Sequence, residues 1–304
     1  MIKKFEIEKD FHNTRFDRWF KNKVLDIPQA LIEKIIRKNQ AKVNGKKTKS
    51  SYRVQENDII EIFSIEKVKK TEKNLITQYV PSNTERDKYD DFIIENNENF
   101  IVINKPAGIA VQSGTKSFKN VVDTLRETKY FEDTKPFIVH RLDKETSGIL
   151  IVAKTREYAQ LFTSLFRIRK IHKIYLAVVY GEVSSELKIL EDDLVVFEKE
   201  RKIVQKATSY IKILKGSSDY SLLELRPITG RKHQLRKQLY NIGNSIIGDD
   251  KYYVKRGKDF IKSKNLMLHA YEIKFMINNV KYNFRADFNK EFKDFIIKKD
   301  LNIF

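Results

Sequence analysis

Hydrophobic residues along this chain recur with two periods, and each change of period marks an element. From Pro28, which suits a first helical turn, Leu31, Ile32, Ile35 and Ile36 follow at helical spacing against Glu33, Lys34, Arg37 and Lys38 on the other side. That pattern is a short amphipathic helix with a basic face. Ala41 and Val43 then alternate into Asn44-Gly45, a tight-turn pair, and Ile59, Ile60, Ile62 and Phe63 read as a strand closing a small sheet. Farther along, strand periods dominate. The spacing predicts strands over 100–103, 148–154, 171–183, 203–214, 220–226, 266–277 and 281–287, with the fourth and fifth paired across the Gly216-Ser217-Ser218-Asp219 turn. Helices are predicted from a Thr155 cap to about 169, over 232–241 and over 291–299, with a loop over 243–253.

Between these two regions, over 66–88, Lys67, Lys69, Lys70 and Lys73 cluster ahead of Pro81, Ser82, Asn83 and Thr84. Read as a linker, this stretch separates a first domain over 1–65 from a second over 89–304, although 75–80 also fits a strand packed on the second domain. In the second domain strands outnumber helices and do not strictly alternate with them. That order predicts an α+β domain with a mixed, largely antiparallel sheet, preceded by a small α/β domain.

Charge narrows the partners. The 304 residues carry 60 Lys and Arg against 41 Asp and Glu, a formal net charge of +19, with 41% apolar and 12% aromatic residues. This is too much core-forming material for a disordered basic tail, and a surplus of this size favours polyanions, nucleic acid or an anionic membrane face. With no cysteine, disulfide scaffolds, thiolate metal sites and cysteine nucleophiles are excluded. No run approaches 18 apolar residues, and Lys3, Lys4, Glu6, Glu8, Lys9 and Asp10 interrupt the start before a signal-peptide core could form, so a cytoplasmic protein is the expectation.

Two polar clusters are candidates for chemistry. His140-Arg141-Leu142-Asp143-Lys144-Glu145-Thr146-Ser147-Gly148 is set between the apolar runs 137–139 and 149–152, where an Asp on a loop framed by strands can be a catalytic carboxylate. The same residues also fit a simple turn in which Asp143 and Thr146 bond nearby backbone. The second cluster is Arg226-Pro227-Ile228-Thr229-Gly230-Arg231-Lys232-His233-Gln234-Leu235-Arg236-Lys237, a tight lead-in to a helix whose basic residues could face phosphates, pair with a carboxylate or merely be solvated. The five histidines, His12, His140, His172, His233 and His269, form no HExxH pair or carboxylate triad, so no metal is expected.

The ordered runs HRLDKETSG, IVAK, KIYLAVVYG, LRPITGRKHQLR and IGDDKY, across most of 99–274, resemble the pseudouridine synthases of the large-subunit ribosomal RNA group, its A, C and D branch. The resemblance implies an isomerase that needs no cofactor. It casts Asp143 as the nucleophile, Tyr175 as the ring that packs on the target base and helps move its C5 proton, and Arg231 as the basic residue pairing with the aspartate. It places Leu235 beneath the site, Arg141 against the flipped-out nucleotide or its neighbours, and Arg236 among the substrate-binding residues. Departures from the family pattern are Lys232 for a common Thr, Gln238 for a frequent His and Gln112 for a common His.

Residues 15–63 separately resemble an S4-type RNA-binding domain, through Arg15-Phe16-Asp17-Arg18, the basic helix and Val43-Asn44-Gly45-Lys46. That likeness would turn Lys34, Arg37, Lys38, Lys42 and Lys46 toward RNA. The domain order is similar to that of the C and D members, and Val111-Gln112-Ser113-Gly114-Thr115 leans toward C. The implied partner is 23S ribosomal RNA, at more than one uridine, acted on by a monomer with no obligatory protein partner and no membrane association. The alternatives are D-type positions, dual ribosomal and transfer RNA targets, or an RNA-binding protein without catalysis.

Overall fold

The computed structural model describes residues 2–63, 79–113, 119–198, 201–253 and 265–302, in a chain that divides into two compact units, Met1–Thr77 and Gln78–Phe304. The first unit contains β1 (Ile2–Glu6), β2 (Thr14–Arg15), α1 (Phe16–Lys23), α2 (Gln29–Arg37), β3 (Ala41–Val43), β4 (Lys46–Lys47), β5 (Arg53–Val54) and β6 (Ile59–Phe63). Pro28 caps α2 from just outside rather than opening its first turn. Ile32, Ile35 and Ile36 of α2 meet Phe16, Trp19 and Phe20 of α1, three aromatic residues at helical spacing, over the β1-β6-β3-β4 sheet. Asn44 and Gly45 both have positive φ, 50° and 73°, as the tight hairpin turn requires. The Asn44 amide also donates to Asp58 (2.7 Å), which accepts from the Tyr52 hydroxyl (3.0 Å) as well, so the hairpin is pinned from beneath. Lys34, Arg37, Lys38 and Lys46 are exposed and Lys42 is half-buried.

The second unit begins with α3 (Asn83–Asp87), where a linker was expected; Ser82 and Glu85 form a reciprocal capping box there. Residues 66–78 and 114–115 lie outside the described residues, so they include most of the expected linker or strand and the end of the 111–115 run. There follow β7 (Ile93–Asn96), β8 (Phe100–Lys105), α4 (Val121–Arg126), β9 (Phe137–Ile138), β10 (Ser147–Ala153), α5 (Arg156–Arg167) and β11 (His172–Tyr180). Next come β12 (Ile189–Glu198), β13 (Arg201–Gly216), β14 (Tyr220–Pro227), α6 (Gln234–Asn241), β15 (Leu268–Ile277), β16 (Val280–Arg285) and α7 (Lys290–Lys298). The strands form one mixed sheet in the order β12-β13-β14-β11-β15-β10-β8-β7, with β16 on β15 and β9 on β10. Every pairing in it is antiparallel except β10 with β15.

That parallel contact is the seam of the sheet, and it consists of two register pairs, Ser147 with His269 and Gly148 with Ala270. Beyond it β10 turns to β9 and β15 turns to β16, so the two halves diverge. Close backbone approach is possible because residue 148 is glycine, with φ +106°; a Cβ there would collide with the Ala270 backbone. The neighbouring pair is stitched by side chains. His269 is buried, its Nε2 lies 3.1 Å from the Ala286 carbonyl and its Nδ1 2.8 Å from the Ser147 hydroxyl. A carbonyl only accepts, so Nε2 carries the hydrogen and Ser147 donates to Nδ1.

Gly148→Ala is expected to lower the unfolding free energy by about 2–4 kcal/mol, the sum of a disfavoured φ and an overpacked seam. Urea unfolding that moves by less than about 0.5 kcal/mol would contradict the seam as described. Burial pushes the His269 pKa down from 6.5 to about 4, against the opposing effect of its bond to Ala286. Between these values the unfolded chain binds a proton that the folded chain does not, so stability falls as pH drops from 6.5 toward 4. The contribution is about 1.4 kcal/mol per pH unit, and His269→Gln should flatten the wild-type slope by that amount in urea titrations at pH 6.5, 6 and 5.

Candidate active site

Asp143 follows the short β9 strand on a loop that leads into β10, and the loop is held from both sides. Leu142 is buried among Val111, Leu125 and Leu150, while the Asp143 carbonyl accepts from Thr146 N (3.1 Å) and the Lys144 carbonyl from Gly108 N (2.9 Å). Lys105, with no exposed surface, places Nζ on the carbonyls of Pro106 (2.7 Å), Ile109 (2.9 Å) and Lys144 (3.1 Å), joining the end of β8 to the Asp143 loop. Burial pushes its pKa down to about 7, with Glu145 and Asp143 opposing. His140 closes the other side. Its Nε2 accepts from Ile151 N (2.9 Å), a backbone donor on β10, and its ring lies 4.7 Å from that of Phe166. Burial, then the charge of Lys173, pushes its pKa down to about 3, so it is neutral at ordinary pH.

The opposite wall is α6 and its lead-in. Gln234 is buried with its amide satisfied: Oε1 accepts from Thr229 Oγ1 (2.7 Å) and Arg231 N (3.0 Å), while Nε2 donates to Thr208 O (3.1 Å) and Ser209 Oγ (2.9 Å). This fixes a turn in which His233, at the helix N-cap, takes a left-handed φ of 54°. Arg236, one turn on, is 5% exposed and forms a two-pronged pair with buried Asp249, Nε to Oδ2 at 2.6 Å and Nη2 to Oδ1 at 2.7 Å. Its third nitrogen, Nη1, reaches Asp143 Oδ2 at 3.8 Å, and His233 Nε2 stands 3.7 Å from Asp143 Oδ1. Burial opposes the charge on Arg236, but the Asp249 hydrogen bonds and the charges of Asp249, Asp143 and Asp250 outweigh it and raise its pKa.

Asp143, 27% exposed, thus lies in a pocket of about 590 Å³ walled by Tyr175, Leu235, Leu268 and Phe166 and opened by Arg141, Arg167, Arg169 and Arg231. Burial, then the Asp143 charge, raises the Tyr175 pKa well above the ordinary phenol value, so its hydroxyl stays protonated. A carboxylate oriented by a cation, beside a ring with an apolar face, can hold a planar base and act on the carbon attached to it.

Residues 99–241 match the family model described as RNA pseudouridylate synthase. A relative named ribosomal large subunit pseudouridine synthase C from Vibrio parahaemolyticus is 31% identical over 89% of this chain and 87% of its own length. A Rickettsia conorii protein of the same name is 34% identical over 86% of this chain and 88% of its own. The chain belongs to the RNA pseudouridine synthase family. The solved structure of human RNA pseudouridylate synthase domain containing 4 shares the fold, with a TM-score of 0.62 at 23% identity over 73% of this chain and 97% of that one.

In this synthase Asp143, Tyr175, Leu235, Arg141 and Arg231 all line one pocket, but Arg231 is not the partner of Asp143. Its Nε donates to the Lys206 carbonyl (3.2 Å), and among the described residues the basic side chains within 4 Å of the Asp143 carboxylate are Arg236 and His233, the latter with its pKa lowered by burial. The reason is helical geometry: Arg231 precedes α6 at the pocket mouth, whereas Arg236 is on the inward face of the helix with Leu235 and Leu239. Arg236 is therefore a buried ion-pair partner behind the lining rather than an open contact. The sequence reading missed Asp249, although IGDDKY was noted, and it also missed His233, whose Nδ1 bonds the Tyr252 hydroxyl (3.0 Å). Gln238, in place of a frequent His, is buried and satisfied, accepting from Ser209 Oγ (2.7 Å) and donating to the Leu190 (3.0 Å) and Ala207 (3.2 Å) carbonyls.

Arg236→Lys should reduce pseudouridine formation by about a hundredfold or more, since a point charge cannot span Asp249 and Asp143 as the planar fork does. Arg231→Lys should cost less than about fivefold, as expected of an accessible cation. Single-turnover rates in the reverse order would restore Arg231 as the partner.

Proposed function

We propose that this protein converts uridines of bacterial 23S ribosomal RNA to pseudouridine, with Asp143 as the nucleophile. The observation that carries the reading is the Asp143 carboxylate in a pocket, oriented by Arg236 and facing the same space as the Tyr175 ring. The names of the relatives favour the large ribosomal subunit over other RNA, and C-type over D-type positions.

In this reaction the N1–C1′ bond of the target uridine breaks, the uracil turns within the pocket and C5 bonds to C1′. C5 then loses its proton and N1 ends protonated, so the product is an isomer and no cofactor is consumed. Asp143 acts at the sugar, either adding to C1′ or drawing a proton from the ribose to give an unsaturated intermediate. The walls keep the detached uracil from leaving, which preserves the high effective concentration of an intramolecular step. Tyr175 supplies the stacking face. Because its hydroxyl stays neutral, its part in moving the C5 proton is that of a relay and not of a phenolate base.

Reaching the base requires extruding it, at a cost of a few kcal/mol that is least in a loop or bulge. Phosphate contacts offset that cost. The reading assigns them in part to the first unit, acting as an S4-type domain through Lys34, Arg37, Lys38, Lys42 and Lys46, and in part to Arg141 at the pocket mouth. The protein works as a cytoplasmic monomer without an obligatory protein partner.

Incubated with 23S transcripts carrying 5-tritiated uridine, the wild-type chain should release tritium, and Asp143→Asn should release none while binding the same RNA within about twofold. Release by Asp143→Asn would exclude the aspartate as nucleophile. Binding without release by the wild type, on transcripts and on assembling subunits alike, would favour an RNA-binding protein without catalysis.

A further inference from the structure

Lys173 is a cation for which the chemistry above has no use. It is on β11 two residues before Tyr175 and lines the same pocket, on the side of His140, whose pKa its charge lowers. Among the described residues its ammonium has no hydrogen bond and no carboxylate within 4 Å, although the side chain is half-buried. An unpaired cation in such a place is costly to keep, and burial lowers its pKa accordingly. Lys105, a fully buried lysine of this region, offers a contrast, since three carbonyls satisfy it.

The surroundings select an anion. Asp143 is the single acid among the described residues of the pocket lining, and it is already paired with Arg236. Arg141, Arg167 and Arg169 stand around the opening with no carboxylate within 4 Å among the described residues. They are exposed, whereas Lys173 is half-buried, so an anion that enters the pocket can reach it with less competition from water. Lys173 and Tyr175 are two residues apart on β11, roughly 6–7 Å by strand rise, and both line the pocket although the register with β15 shifts between Ile174 and Tyr175. Asp143 is within 4 Å of His233 and Arg236 at the α6 wall, whereas Lys173 belongs to β11. With the uracil on Tyr175 and its ribose at Asp143, the anionic group available to that position is a phosphodiester of the extruded strand.

We infer that Lys173 is the inner phosphate anchor of the pocket, binding one of the two phosphodiesters that flank the target uridine and so holding the flipped nucleotide in register with Asp143. The inference rests on the synthase reading above. Arg141, Arg167 and Arg169 gather the strand at the opening, while Lys173 takes one defined phosphate inside.

The test is a double-mutant cycle with the full chain and a synthetic RNA hairpin containing a uridine that the wild type modifies. The RNA is made in native form and with a single uncharged methylphosphonate at the linkage 5′ or 3′ of that uridine. Wild type should lose about tenfold or more in affinity at one of the two neutral linkages, and Lys173→Met should lose a similar factor on native RNA. At that linkage Lys173→Met should lose almost nothing further, and Lys173→Arg should recover part of the loss. Thermal unfolding supplies a readout that a structural role would move the other way: Lys173→Met should be at least as stable as wild type, because an unpaired, half-buried charge is removed. Equal losses for wild type and Lys173→Met at both linkages, or a marked fall in the melting temperature of Lys173→Met, would overturn the anchor. Failure of the wild type to make pseudouridine in any native RNA would instead overturn the synthase reading, and the anchor with it.

Discussion

The site depends on one guanidinium that ties a buried carboxylate to the one in the pocket, with exposed Asp250 3.4 Å away as a third. Arg236 gives two of its nitrogens to Asp249, which is 1% exposed, and has the third left for Asp143 in the pocket. Removing either charge of the buried pair would strand the other, a loss of about 3–5 kcal/mol in comparable cases. With the pair intact, the guanidinium plane is fixed by Asp249 and cannot turn away, so the direction from which Asp143 is met is set by the protein before RNA arrives. Asp249 is itself tied down, its Oδ1 also accepting from the backbone of Lys251 (2.9 Å) and Tyr252 (2.8 Å). The side chain of Tyr252 then turns back to His233, the other group near Asp143.

The sheet seam explains why the carboxylate is where it is. A parallel contact only two residues long leaves β10 and β15 free to diverge, and the loop that carries Asp143 enters β10 at that point. Gly148 permits the approach, Ser147 and His269 lock it, and His140 satisfies the β10 donor at Ile151. Each is a polar or conformational device within a hydrophobic layer, and each removes freedom from the loop. Lys105 does the same from the β8 side. A carboxylate on a loop is thereby held about as firmly as one on a strand, which is what attack on a single carbon demands.

Much of this was legible in the sequence, for physical reasons. The mixed, largely antiparallel sheet followed from strand periods that do not alternate with helices, and the turn at Asn44-Gly45 followed from the φ angles those residues tolerate. The Thr155 cap was legible too, its hydroxyl accepting from Tyr158 N (3.2 Å). The polar run 140–148 between apolar runs marked the pocket. What local pattern could not give was pairing between residues distant along the chain. Arg231 and Arg236 are equivalent as charges, and only the turn pinned by Gln234 decides which of them points inward. Asp249 is 13 residues from Arg236, on a loop without periodicity. Strand β12 was missed because Glu191, Asp192 and Asp193 interrupt its apolar residues, whereas ten register pairs with β13 hold it in the sheet.

The central claim, that Asp249 acts on the reaction only by aiming Arg236 at Asp143, is tested most directly by Asp249→Asn under single-turnover conditions. The substitution keeps the shape and an oxygen acceptor but removes the charge that fixes the guanidinium. The account predicts that RNA affinity stays within about twofold while the rate of pseudouridine formation falls by about a hundredfold. A wild-type rate from a folded Asp249→Asn protein would contradict it.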